Sequence, residues 1–162
     1  LSHYEKVKYL HNKLLNEKLN EEEVHEWGER YSQLVENKVK GASLVTGAKD
    51  FIDHCSIPMA MASGTPEIEL KRITDHFEIS SSFEFIFGSP RSKKENLSKV
   101  LEHWGSDGSD CLMVGDAITD LEAAITCRVP FVGRTHSLNE GHFPDGTNLQ
   151  LDLFRYLGKV VG

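Results

Sequence analysis

Four short and nearly continuous apolar runs, separated by amphipathic stretches, constrain this chain more than any other feature. They are Pro58-Met59-Ala60-Met61-Ala62, Phe83-Glu84-Phe85-Ile86-Phe87, Asp110-Cys111-Leu112-Met113-Val114 and Val129-Pro130-Phe131-Val132, and each is followed at once by Gly or Ser. Runs of this length predict strands buried on both faces, which is the pattern of a parallel sheet covered by helices. Helical spacing is predicted between them, over residues 47–54, 66–75, 93–104 and 117–126. The alternation is a βα rhythm and predicts an α/β fold, a parallel sheet flanked by helices. The tail from Arg134 onward is less regular, and no internal repeat or low-complexity segment is present.

The first forty residues have a different texture. They lack proline and carry apolar residues at helical spacing: Val7, Leu10 and Leu14, then Val24, Trp27, Tyr31, Leu34 and Val35. Asn20 with Glu23 three residues later predicts a helix start between the two patterns, so this segment is expected to form a helical hairpin. Trp27 and Tyr31, one turn apart, are expected to pack the hairpin onto the rest of the protein.

With 25 acidic against 18 basic residues and a formal net charge of −7, a general nucleic-acid or anionic-membrane surface is not expected. No run of 18 apolar residues occurs, and the first residues lack the apolar stretch of a signal peptide, so a cytoplasmic location is the expectation. Cys55, Cys111 and Cys127 are odd in number and lie in or beside apolar runs, as buried free thiols in a reducing compartment would. The eight histidines show no paired ligand spacing; most read as solvated helix residues, and His136 and His142 as loop residues.

Ligands of parallel sheets bind beyond the carboxyl ends of the strands, so the polar residues there are the candidate site. The run at 58–62 leads into Ser63-Gly64-Thr65-Pro66, a hydroxyl and free N–H groups at a helix start, which can cradle a phosphate. After the second run, Lys93 and Lys94 open a helix, and either can act as a point charge toward an anion. The third run ends in Gly115-Asp116, with Asp120 one helical turn on, an arrangement able to hold a hard cation through carboxylate oxygen. Arg134, directly after the last run, is a further candidate for an anion.

Taken in order, a strand ending in Ser-Gly, a lysine before a helix, and a strand ending in Gly-Asp-x-x-x-Asp-x-x-x-Ala resemble the haloacid dehalogenase-like hydrolase superfamily. Met113 to Ala124 is similar to that family's fourth motif, and the N-terminal hairpin resembles its inserted helical cap. The likeness covers roughly residues 44–133 and implies a HAD-like Rossmannoid core over residues 43–162, with residues 1–42 as a helical cap segment. It implies that Ser63 and the Gly64 backbone bind the substrate phosphoryl group, that Lys93 acts in catalysis with Lys94 as the fallback, and that Asp116 and Asp120 hold Mg²⁺. The implied reaction is Mg²⁺-dependent hydrolysis of a small phosphorylated metabolite through an aspartyl-phosphate.

The family's Asp-x-Asp motif at the end of its central first strand does not occur among these residues. Asp50-Phe51-Ile52-Asp53 lies in a predicted helix and cannot replace it. The sheet is therefore expected to lack its central strand, leaving neighbouring edges unpaired or forced together, in a chain expected to be truncated. A second expectation, of a different class, is a non-catalytic protein that keeps the scaffold and associates as a homodimer through exposed sheet edges.

Overall fold

In a computed structural model, which describes residues 3–160, the chain is an α/β protein preceded by a helical hairpin. Helix α1 (His3–Leu10) runs on into a π-helical turn at His11–Leu15, which ends at Asn16 in the left-handed conformation. Helix α2 (Glu21–Lys40) returns antiparallel to it. The predicted helix start is realised as a full capping box: the Asn20 side chain accepts from the Glu23 N–H at 2.9 Å, and the Glu23 carboxylate accepts from the Asn20 N–H at 2.8 Å.

The rest alternates as α3 (Ala48–His54), β1 (Ala60–Pro66), α4 (Glu67–His76), β2 (Phe85–Ser89), α5 (Lys93–Trp104), β3 (Met113–Gly115), α6 (Ile118–Cys127), β4 (Phe131–Arg134), β5 (Leu149–Gln150) and α7 (Leu153–Val160). All four predicted strands form, each beginning two or three residues later than predicted and ending one to four residues later. An apolar run marks the buried centre of a strand, whereas its ends follow the hydrogen-bonding partner, and Gly and Ser remain extended here because their neighbours pair with them. The two-residue β5 had no apolar run to announce it.

Every pairing is parallel, but the strands form two sheets. β1 pairs with β2 in register Ala60 with Phe85 through Ala62 with Phe87, and the register then shifts before Pro66 meets Ser89. β3 pairs with β4, Gly115 opposite Gly133, and β4 with β5. Among the described residues no ladder joins β1 to β3, so their edges are left unpaired instead of being forced together. The two sheets are joined through the helical layer, where α5 lies on β1 and β2 and packs against α6, which lies on β3 and β4.

The division has a cost in burial. Phe85, Ile86, Phe87, Met113 and Val114 were expected to be buried on both faces and are only half-buried, because narrow sheets expose their edges. The tightest core lies on the other side, where Val132, Leu153 and Leu157 pack with Phe51, Val114, Phe154 and Tyr156 under α3 and α7. The hairpin meets the remainder mainly at α4: Arg72 grips Glu36 with bonds of 2.9 and 2.6 Å, and His76 Nε2 lies 3.0 Å from the Lys40 carbonyl oxygen. Trp27 does not face this junction. It is 41% exposed and lies against His11, with the Arg30 guanidinium over its ring, inside an apolar groove of the hairpin itself.

The cysteines are free and half-buried, and burial pushes the Cys111 thiol up, away from the reactive thiolate. No described helix is long and apolar enough to cross a membrane.

Candidate functional site

Helices α5 and α6 follow β2 and β3 directly and begin side by side, so the carboxyl ends of both sheets lie on one rim of the molecule. Lys93 is the first residue of α5 and Asp120 stands in the first turn of α6. Lys93 Nζ donates to Asp120 Oδ1 at 2.5 Å, a charge-assisted bond linking the two halves of the fold. Both groups are shielded, with side-chain exposures of 21% and 6%. Of the two lysines left open by the sequence, Lys93 is the one bonded to Asp120, and Lys94 is exposed.

Asp120 has no free oxygen. Its Oδ2 accepts from the Ala117 N–H at 3.1 Å, capping α6, while Oδ1 is taken by Lys93. It lies so close under the strand end that any side chain at Gly115 would run into it. The glycine before Asp116 is thus a matter of space.

Asp116 is different: its side chain is 59% exposed and directed to solvent at the tip of β3, with His136 Nε2 at 3.8 Å. Asn139, buried in the loop after β4, holds the backbone here by donating Nδ2 to the carbonyls of both Asp116 and Arg134, each at 2.9 Å. Asp116 can offer a hard cation one carboxylate, and Mg²⁺ is commonly held by one or two carboxylates with waters and phosphate oxygens completing its shell. Among the described residues no three His, Cys, Asp or Glu side chains converge to form a fuller cage. The donor chemistry at Asp116 fits Mg²⁺, with Asp120 engaged elsewhere.

Ser63 and Gly64 fall inside β1, where the register shift occurs. Such irregularities re-aim a strand end beside a site. The Ser63 hydroxyl accepts from the Thr65 N–H at 3.1 Å, shaping the turn, and Gly64 faces open space on the side where a side chain would stand. Pro66 precedes α4 and no side chain caps that helix, so its first N–H groups are unclaimed by a cap. No hydrogen bond joins Ser63 to Lys93 or Asp116; these residues share the rim without touching.

A network that the sequence did not announce fixes the loop carrying Lys93. Arg91 Nη2 donates to Glu67 Oε2 at 2.5 Å and Arg91 Nε to Asn96 Oδ1 at 2.9 Å, while fully buried Asn96 donates to the Gly88 carbonyl at 3.2 Å. The Arg91 guanidinium also lies over the Phe87 ring. The Glu67 carboxyl is held below the usual carboxylate range, chiefly by its bond from Lys71, assisted by the Gly88 N–H and the nearby Arg91. Ser92 and Glu95 close a capping box at the start of α5. His136 was legible only as a loop residue, and Asn139 and Asn96 were not singled out, because Asn139 reaches Asp116 from 23 residues away and Asn96 reaches Gly88 from 8; Ser92-x-x-Glu95 is a readable capping signal.

The profile of the haloacid dehalogenase-like hydrolases matches residues 3–127 of this chain. No curated protein matches it. Among solved structures, a predicted phosphoglycolate phosphatase from Haemophilus somnus superposes with a TM-score of 0.79 at 17% identity, over 97% of this chain and 75% of its own. A β-phosphoglucomutase from Clostridium difficile gives 0.70 at 18% identity, over 98% and 76%. A HAD-superfamily hydrolase from Geobacter sulfurreducens gives 0.66 at 18% identity, over 98% and 90%. At these identities the structural likeness speaks to the fold alone.

Proposed function

The chain belongs to the haloacid dehalogenase-like hydrolases, and on that premise we propose that it carries the phosphate-binding half of a Mg²⁺-dependent phosphomonoesterase acting on a small phosphorylated metabolite. The observation that supports this most is the shielded Lys93–Asp120 pair at the rim, beside a solvent-facing Asp116. Lys93 is locked at the head of α5 by the Arg91–Asn96–Glu67 network and by Asp120, so its ammonium needs no reorganisation to meet an arriving phosphoryl group. Ser63 and the Gly64 N–H would bind phosphoryl oxygens, using the open space over Gly64. Asp116 would hold the cation and Asp120 would position Lys93, both of its own oxygens being engaged. Mg²⁺, when bound, supplies positive charge toward the phosphoryl oxygens. The family's Asp-x-Asp motif does not occur among these 162 residues; the roles proposed for them are binding, orientation and charge.

Calorimetric titration with MgCl₂, with and without inorganic phosphate, tests the site. Wild type should bind Mg²⁺ more tightly with phosphate present, and Asp116→Ala should bind at least about tenfold more weakly, the loss of one carboxylate ligand. Equal and negligible Mg²⁺ binding by both proteins would remove the assignment.

A second reading, association of two copies through sheet edges without turnover, draws support from the unpaired edges of β1 and β3. A stable dimer by light scattering with no hydrolysis of p-nitrophenyl phosphate is its signature. Hydrolysis that depends on Mg²⁺ and Asp116 excludes it.

A further inference from the structure

Away from the Lys93–Asp120 pair, at the carboxyl ends of β4 and β5, lies a cavity of about 440 Å³. Leu44, Val45 and Thr46 wall it on one side, from the segment leading into α3. Leu151, Asp152 and Leu153, at the start of α7, wall it on the other, and Arg134 lines it as the last residue of β4. Arg134 is half-buried, and its Nε is wholly enclosed without a hydrogen-bond partner. Among the described residues its guanidinium meets no carboxylate within ion-pairing distance. Arg91, the other half-buried arginine, is fully engaged by Glu67, Asn96 and the Phe87 ring. Leaving a guanidinium donor enclosed and unsatisfied costs about 1–3 kcal/mol or more. With Nε enclosed, the donors left for an acceptor in the cavity are those of the two Nη nitrogens.

We propose that this cavity binds the carboxylate of a small organic acid. A guanidinium presents two parallel N–H donors that match the planar oxygens of a carboxylate. Leu44, Val45 and Leu151 offer contact for a short hydrocarbon body within a lining that is largely polar elsewhere, to which Thr46 adds a hydroxyl. Asp152 stands in the same wall and repels a doubly charged ligand more than a singly charged one, which selects a monocarboxylate over a phosphate dianion. The cavity adjoins the phosphoryl position, since Asn139 bonds the carbonyls of both Asp116 and Arg134, but its lining includes none of Ser63, Lys93 and Asp116.

The test is a titration of the isotopically labelled protein with sodium butyrate, followed by amide shifts, with inorganic phosphate as the comparison. Saturable butyrate binding is expected, with shifts centred on residues 44–46, 134 and 151–153. Arg134→Gln should weaken it at least about tenfold and Arg134→Lys by a smaller factor, whereas Lys94→Ala, on an exposed side chain outside the cavity, should leave it unchanged. Arg134 holds no acid partner, so Arg134→Gln should fold as wild type does, and its circular dichroism and thermal midpoint verify that. If Arg134→Gln fails to fold, Arg134→Lys and Thr46→Ala carry the comparison, both expected to weaken butyrate. Absence of saturable butyrate binding, equal binding by wild type and both Arg134 variants, or tighter binding of phosphate than of butyrate would each overturn the proposal. Loss of Mg²⁺ binding with butyrate binding intact would instead remove only the phosphoryl-site assignment.

Discussion

At the scale of single residues, the site depends on close contacts that leave little freedom. Asp120 serves two masters, the Ala117 N–H and the Lys93 ammonium, which together occupy both oxygens of a side chain with only 6% exposure. Removing the cation leaves that carboxylate shielded and uncompensated, so Lys93→Ala should destabilise the protein by about 2–4 kcal/mol. Lys94→Ala, on an exposed side chain one residue away, should stay within about 0.5 kcal/mol. Urea titration of both variants measures the contrast, and equal effects would show that the ion pair contributes nothing particular. Gly115→Ala, which forces a methyl group into the Asp120 side chain, should cost about 1–3 kcal/mol in the same assay. The motif's spacing was legible in the sequence at this scale, as were the types of its residues. The division of labour between Asp116 and Asp120 was not, because it depends on which oxygens other groups already occupy.

At the scale of elements, periodicity and capping signals located the helices closely. The range 93–104 predicted for one of them is α5 to the residue, since a Ser cap before it and Gly105 in the left-handed conformation after it set hard limits. Strand ends were less legible because a pairing partner determines them. The hairpin was readable too, though the direction in which Trp27 points was not. Its attachment to α4 is electrostatic as much as apolar: Glu36 is buried between Arg72 and Lys40, and bonds from both, Arg72 foremost, bring its carboxyl down to about 2. A carboxyl whose value falls from 4.5 in the unfolded chain to about 2 in the folded one gives stability that is present above pH 4.5. That stability drains away as the pH falls toward 2. The stability gap between wild type and Glu36→Gln should therefore be constant from about pH 7 to 5 and shrink steadily below that in urea titrations. A gap independent of pH would contradict the pairing.

Across the whole molecule, the parallel α/β architecture was legible from four apolar runs, and the unpaired edges of β1 and β3 from the absent Asp-x-Asp strand. What composition could not convey is how loosely the parts are held. Strand residues are half-buried, and the hairpin keeps an exposed groove containing Trp27, with Leu14 and Leu34 more than half exposed. Trp104, in contrast, closes α5 and donates to Glu84 at 2.7 Å. The two tryptophans thus report on different regions. Unfolding followed by fluorescence in Trp104→Phe, where only Trp27 emits, should show a midpoint at lower denaturant than in Trp27→Phe. Coincident midpoints would mean that hairpin and core unfold as one cooperative unit.

The divided sheet also bears on how the chain reaches this structure. Each ladder joins strands consecutive in the sequence, β1 with β2, β3 with β4 and β4 with β5, so no strand pairing waits for a distant segment to arrive. Ladder partners lie 16 to 25 residues apart, so the closure entropy of each pairing is moderate, while parallel pairing still folds more slowly than local helical contacts. The Lys93–Asp120 bond, in turn, spans the two halves and requires α5 and α6 to be packed together.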